Sequence, residues 1–90
     1  MTDGAAEPSR QFRAGRRVPR SARAVADDIA GQIRTGRLAA GSRLPPYLAL
    51  AEAYHVSLST VQRAIALLQA RGVVRGRRGR GVYVTDDAQP

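Results

Sequence analysis

Residues 47–72 read YLALAEAYHVSLSTVQRAIALLQARG, and two helical periods that fail to join across the middle of this stretch decide the architecture. In the first half, Leu48, Leu50, Ala51 and Tyr54 form a short apolar set that predicts a helix over 47–54. In the second half, Val61, Ile65 and Leu68 recur at i, i+4 and i+7 and so share one helix face. The register breaks between them, at His55, Val56 and Ser57. Ser57 suits an N-cap, because its hydroxyl can accept a free backbone N–H of the first turn. Gly72 suits the stop, because glycine readily takes the left-handed conformation that ends helices. The second helix is expected over 57–71. A short helix, a turn from about Tyr54 to Ser57 and a longer helix form a helix-turn-helix pattern.

Upstream, Ser21 is a second serine N-cap, and Val25, Ile29 and Ile33 recur every four residues, with Ala22, Ala26 and Ala30 widening the stripe. Asp27 and Asp28 lie in the first half of this helix and Arg34 near its end, as the helix dipole favours. The two aspartates are adjacent and point about 100° apart, so both are expected as solvated dipole partners. Gly36 ends the helix, which is expected over 21–35. Arg37 to Pro46 is a connector in which Gly41 and Ser42 turn the chain and Arg43-Leu44 can make one very short strand. Pro45 and Pro46 then delay the next helix. Downstream, Val73-Val74 and Val82-Tyr83-Val84 flank a Gly- and Arg-rich loop and predict a β-hairpin. The expected fold is mainly α with a small β-hairpin: a winged helix-turn-helix of three helices plus a wing over 21–85. A flexible basic tail over 1–20 precedes it, and a polar tail over 86–90 follows. The first tail carries Arg10, Arg13, Arg16, Arg17 and Arg20. It reads as a solvated leader or as an arm lying along DNA.

Composition narrows the function. The 90 residues make one domain, too small for both a core and a roomy buried active site. Apolar residues are 43% and aromatics 4%, so the chain is globular with an aliphatic core. Absence of cysteine rules out disulfides and thiolate metal sites. No apolar run nears the ~20 residues of a membrane span, and the Arg-rich N-terminal residues lack the apolar stretch of a secretory signal, so none is expected; a cytoplasmic protein is expected. His55 is the single histidine and joins no carboxylate cluster. Gly79-Arg80-Gly81 is followed by no Lys-Ser/Thr and opens no helix, so it is not a phosphate-binding loop. No catalytic residue, metal or cofactor is expected, and the chain does not read as an enzyme. The net charge is +8, with all fifteen basic residues arginine. That field attracts polyanions.

The second helix of a helix-turn-helix presents its N-terminal turns to a major groove about 12 Å wide. The outward residues there are Leu58, Ser59, Gln62 and Arg63. Glutamine pairs with adenine through both its amide oxygen and its amide NH₂, arginine with guanine, and an apolar side chain can meet a thymine methyl; Leu58 can instead pack against Leu48. Ser57, Ser59 and Thr60 suit phosphate contacts at the positive helix end. Between Arg71 and Arg80 stand five arginines and no acid. Within that run Arg75, Arg77, Arg78, Gly79, Arg80 and Gly81 form an expected wing contact to backbone or minor groove. Arg43 and Tyr47 complete the expected set. The expected function is sequence-specific regulation of transcription on double-stranded DNA, with repression by blocking polymerase favoured over activation, and with the DNA bound by one copy or by a homodimer on two half-sites. No small-molecule effector site is expected. The alternative is a winged-helix module for RNA or for protein docking, the latter exposing Leu48, Leu58 and Tyr47 as an apolar patch.

Residues 24–84 resemble the DNA-binding domain of GntR-family transcription regulators. The matching residues are Ile29, Ile33 and Gly36, then Gly41-Ser-Arg-Leu-Pro45, Leu50-Ala51, Val56-Ser57, Thr60-Val61, Ala64-Ile65, Leu68 and Gly72, and finally Gly79-Arg-Gly-Val-Tyr-Val84. The resemblance implies a winged-helix fold and a DNA ligand. Family members usually read Leu-Pro-Ser-Glu-Arg where this chain has Leu44-Pro45-Pro46-Tyr47-Leu48, and often carry arginine where it has Leu58 and Gln62. The resemblance therefore does not carry over the usual operator. Family regulators normally continue into a C-terminal effector-binding and dimerising domain. The Met1 start and polar DDAQP end favour a stand-alone short regulator over a fragment.

Overall fold

The computed structural model describes residues 21–85, so the two expected tails, 1–20 and 86–90, lie outside the described residues. Three helices, α1 (Ala22–Arg34), α2 (Tyr47–Tyr54) and α3 (Leu58–Ala70), precede two strands, β1 (Val74–Arg77) and β2 (Gly81–Val84). Both serine caps form. The Ser21 hydroxyl accepts from the Ala24 N–H at 3.0 Å, and that of Ser57 from the Thr60 N–H at 3.2 Å. Gly36 and Gly72 follow α1 and α3 in the left-handed conformation, at φ +87° and +79°. α2 ends the same way without a glycine. His55 sits at φ 57°, ψ 45°, its N–H donates to the Glu52 carbonyl at 3.3 Å, and that of Val56 to Ala51 at 3.0 Å. This pair of bonds satisfies carbonyls that the helix end would otherwise leave open.

β1 and β2 pair antiparallel, from Val74 opposite Val84 to Arg77 opposite Gly81. The connector runs along the other edge of β2. The Leu44 N–H donates to Val82 and the Val84 N–H to Ser42, each at 2.8 Å. The expected strand at Arg43-Leu44 is thus present as a single bridge, Arg43 opposite Tyr83. Because β2 is paired on both sides, the wing is stitched to the segment that leads into α2.

The core is aliphatic apart from Tyr54. It gathers Val25, Ala26, Ile29 and Ile33 of α1, Leu50, Ala51 and Tyr54 of α2, and Val61, Ala64, Ile65 and Leu68 of α3. Leu44, Val74, Val82 and Val84 close it from the hairpin side. Each predicted helical stripe faces inward, with one exception. Leu48 is 64% exposed, because it stands two residues, about 200° of helix, from Leu50.

The aspartates of α1 also depart from expectation. The Tyr54 hydroxyl, on a fully buried side chain, donates to Asp28 Oδ2 at 2.5 Å. Gln32 Nε2 donates to the same oxygen at 3.0 Å. A buried phenol needs a hydrogen-bond partner, and Asp28, at the edge of α1's apolar face, supplies it. Asp27 instead pairs with Arg71 Nη2 at 2.9 Å on the surface, where such a pair contributes about 0–1 kcal/mol.

Burial first, then the hydrogen bond and negative charge of Asp28, hold the Tyr54 phenol protonated well above its ordinary range. Folding raises this pKa, so its contribution is intact below the unfolded value of about 10 and is lost as pH rises above it. The chain has no lysine or cysteine, the other side chains whose ordinary range lies near that window. Tyr54→Phe is expected to cost about 1.5–3 kcal/mol at pH 7 and to flatten the fall in stability above pH ~10, both read by urea unfolding. At the α2 terminus, His55→Gly should stabilise by about 0.5–1 kcal/mol and His55→Val destabilise by 1 kcal/mol or more, about the left-handed penalty of a branched side chain.

Candidate nucleic-acid interface

α3 turns Val61, Ala64, Ile65 and Leu68 into the core, which leaves Leu58, Ser59, Gln62 and Arg63 exposed. These four fall into two rows at i, i+4 spacing, Leu58–Gln62 and Ser59–Arg63, each lying along one line of the helix surface. At the helix start the Ser57 Oγ lies 3.1 Å from Ser59 Oγ and 3.0 Å from Thr60 Oγ1. The three expected phosphate-binding hydroxyls are therefore one cluster at the positive end of α3. Within it, the Ser57 oxygen also serves as the cap, and Thr60 is half-buried. The first turn holds no acidic residue, so nothing there opposes an anion.

The wing alternates as a strand should. Val74, Val82 and Val84 point to the core, while Arg75 and Arg77 share the opposite face with Tyr83. Arg75 stands across from Tyr83 in the register. The Arg77 guanidinium lies 5.5 Å from the centre of the Tyr83 ring, a cation–π contact that directs the arginine along the wing. Between the strands the Arg80 N–H donates to the Arg77 carbonyl at 2.8 Å, and Gly79 takes φ +74°, a turn position suited to glycine. Arg78, Gly79 and Arg80 form the exposed tip.

Arg43 comes from outside the hairpin but belongs to it in space. Its Nε lies 3.1 Å from where a Cβ on Gly81 would stand, so the guanidinium lies over the glycine that begins β2, next to the wing's tip. Tyr47, Gln69, Arg77, Arg78 and Gly79 contribute to the lining of an open cleft of about 380 Å³ between the start of α2, the end of α3 and the wing.

The expected residues thus assemble as two groups: Ser57, Leu58, Ser59, Thr60, Gln62 and Arg63 on α3, and Arg43, Tyr47, Arg75, Arg77, Arg78, Gly79, Arg80 and Gly81 around the wing. Arg71, part of the same arginine run in sequence, is turned instead to Asp27 of α1. Gln69 was not among the expected residues; it reaches the wing, with Nε2 3.2 Å from where a Cβ on Gly76 would stand. Only the fold brings an outward glutamine late in α3 to that strand. Of the apolar trio, Leu48 and Leu58 are exposed at 64% and 43%, and Tyr47 is half-buried. Among the described residues, no three His, Asp or Glu side chains are grouped to hold a metal ion, and no helix is long and apolar enough to cross a membrane.

Comparison with known proteins adds a family context. The sequence profile of the bacterial regulatory proteins of the gntR family matches residues 21–84. The Uxu operon transcriptional regulator of Escherichia coli (strain K12) is 42% identical over 48 residues, which is 53% of this chain and 19% of that protein. Among solved structures, a GntR family transcriptional regulator from Listeria monocytogenes superposes with a TM-score of 0.70 at 30% identity, covering 84% of this chain and 64% of the other. The DNA-binding domain of AraR, crystallised in complex with the operator ORX1, superposes with a TM-score of 0.68 at 25% identity, covering 71% of this chain and 77% of the other. The chain spans a quarter or less of the length of the curated relatives it matches.

Proposed function

The chain belongs to the gntR family of bacterial regulatory proteins, and from that premise we propose that it is a sequence-specific, double-stranded-DNA-binding regulator of transcription. One observation carries the reading: the exposed rows Leu58–Gln62 and Ser59–Arg63 open the second helix of a helix-turn-helix, in a fold that also carries four exposed arginines on its wing, Arg75, Arg77, Arg78 and Arg80. The operator-bound AraR domain, similar in fold and sequence, supports it. In this reading the N-terminal turns of α3 enter the major groove, where Gln62 and Arg63 meet base edges and Ser59 a base or phosphate. The wing arginines, with Arg43 alongside β2, take the neighbouring backbone or minor groove. Occupancy of a promoter would exclude polymerase, so repression is the expected sign. Two copies on a two-fold symmetric site are the expected assembly.

A second reading, protein docking, draws on the exposure of Leu48 and Leu58, and the two differ in their response to salt. A DNA reader that neutralises about five to six phosphates should lose affinity with a slope of log K against log salt near −5. A slope shallower than about −2 in an electrophoretic or fluorescence titration would favour docking. Within the DNA reading, Gln62→Ala should lower discrimination at one base pair by about 1–3 kcal/mol, whereas Arg78→Ala should weaken specific and random DNA alike. Equal losses on both DNAs for Gln62→Ala would remove glutamine from the base-reading role.

A further inference from the structure

Leu58 is the first residue of α3, 43% exposed and outside the core. Its neighbours in sequence and along the helix row, Ser57, Ser59 and Gln62, are all polar and exposed. Leu58 is also not among the partly buried apolar residues that pack against the core. If α3 occupies the major groove, the choice of partner narrows sharply. Base edges there are hydrogen-bond donors and acceptors with one apolar exception, the C5-methyl group of thymine. A leucine set against any other edge would strip water from polar atoms without replacing the lost hydrogen bonds. Against a thymine methyl it buries apolar surface on both sides.

Gln62 follows one turn later in the same row. The two side chains are separated along the helix axis by about 6 Å, four residues at 1.5 Å each. That equals about two base-pair steps of 3.4 Å. The glutamine amide oxygen accepts from adenine N6 while its NH₂ donates to N7. Both chemistries therefore select A·T pairs, at a spacing set by the helix.

We infer that Leu58 is a specificity-determining residue that reads a thymine methyl group, within about two base pairs of the adenine read by Gln62, so that each half-site contains a short A·T-containing core. This inference rests on the DNA-binding reading above. The same row turns to Ala66 beyond Gln62, and Ala70 follows one turn on, both exposed. Alanines are too short to reach far into the groove, so this row reads bases only through the first two turns of α3.

The test begins with selection of bound duplexes from a random pool using the full chain. Each thymine of the selected sequence is then replaced singly by deoxyuridine, which removes only the methyl group. One thymine per half-site should lose about four-fold in affinity, the equivalent of one buried CH₃ group. Leu58→Ala should still bind the selected duplex but show no penalty at that thymine, and Leu58→Met, still long and apolar, should keep it. At the same position, 5-methylcytosine should bind better than cytosine. Selection of a defined sequence in which every uracil is neutral would overturn the inference while leaving DNA binding intact. So would a uracil penalty that survives in Leu58→Ala. Failure to retain any duplex, or retention without sequence preference, would overturn the sequence-specific reading and this inference with it.

Discussion

Between α2 and α3 the chain has three residues, His55 to Ser57, in which to end one helix, change direction and begin the next. The first constraint falls on His55, which must enter the left-handed region at φ 57° to close the last carbonyls of α2. Ser57 then takes the extended conformation as the cap of α3. Val56, between them, tucks against the core. No slack remains, so the direction in which α3 leaves is a consequence of the turn. Its inward face can then meet α1, and the row opened by Leu58 is carried to the surface.

The rest of the fold holds that orientation in place. Tyr54, the last residue of α2, is tied through its hydroxyl to Asp28 of α1. The helix-turn-helix is thereby pinned to α1 by a polar bond inside an otherwise aliphatic core. An interior of Val, Leu, Ile and Ala packs well but offers little directional preference; the phenol–carboxylate contact supplies a direction at one place. On the far side, β2 is bonded both to β1 and to the connector. The wing therefore shares its hydrogen bonds with the segment that starts α2, and is more than a free hairpin at the end of the chain.

Charge and shape divide the work of the proposed interface. The arginines cluster around the wing, where glycines allow close approach and Tyr83 steadies one guanidinium. Phosphate contacts of this kind give affinity with little sequence information. The start of α3 is less charged and chemically mixed, with leucine, serine, glutamine and arginine in two short rows. An interface of that composition distinguishes bases by which partner each side chain can satisfy.

Much of this was legible in the sequence because it is local. Helical periods, serine caps, glycine stops and the hairpin's β-branched runs are each decided within a few residues, so the three helices, the wing and most exposed site residues can be read directly. The family pattern agreed with that reading over nearly the same span. What the sequence left open depends on partners far along the chain. Asp28 reads as a solvated acid until Tyr54, 26 residues on, is brought against it. Arg71 reads as part of the arginine run that feeds the wing until Asp27 draws it away, and Arg43 as connector until it lies over Gly81; Gln69 carries no local signal and is set against Gly76 only by the fold. Leu48 belongs to the apolar set of α2 by composition, yet the face that α2 buries is chosen by Leu50, Ala51 and Tyr54. In sum, the sequence determined the elements and the chemistry they carry, because those follow from short-range backbone preferences. The tertiary structure alone decided which polar groups are paired and which apolar ones are left for a partner, because burial is a property of the packed whole.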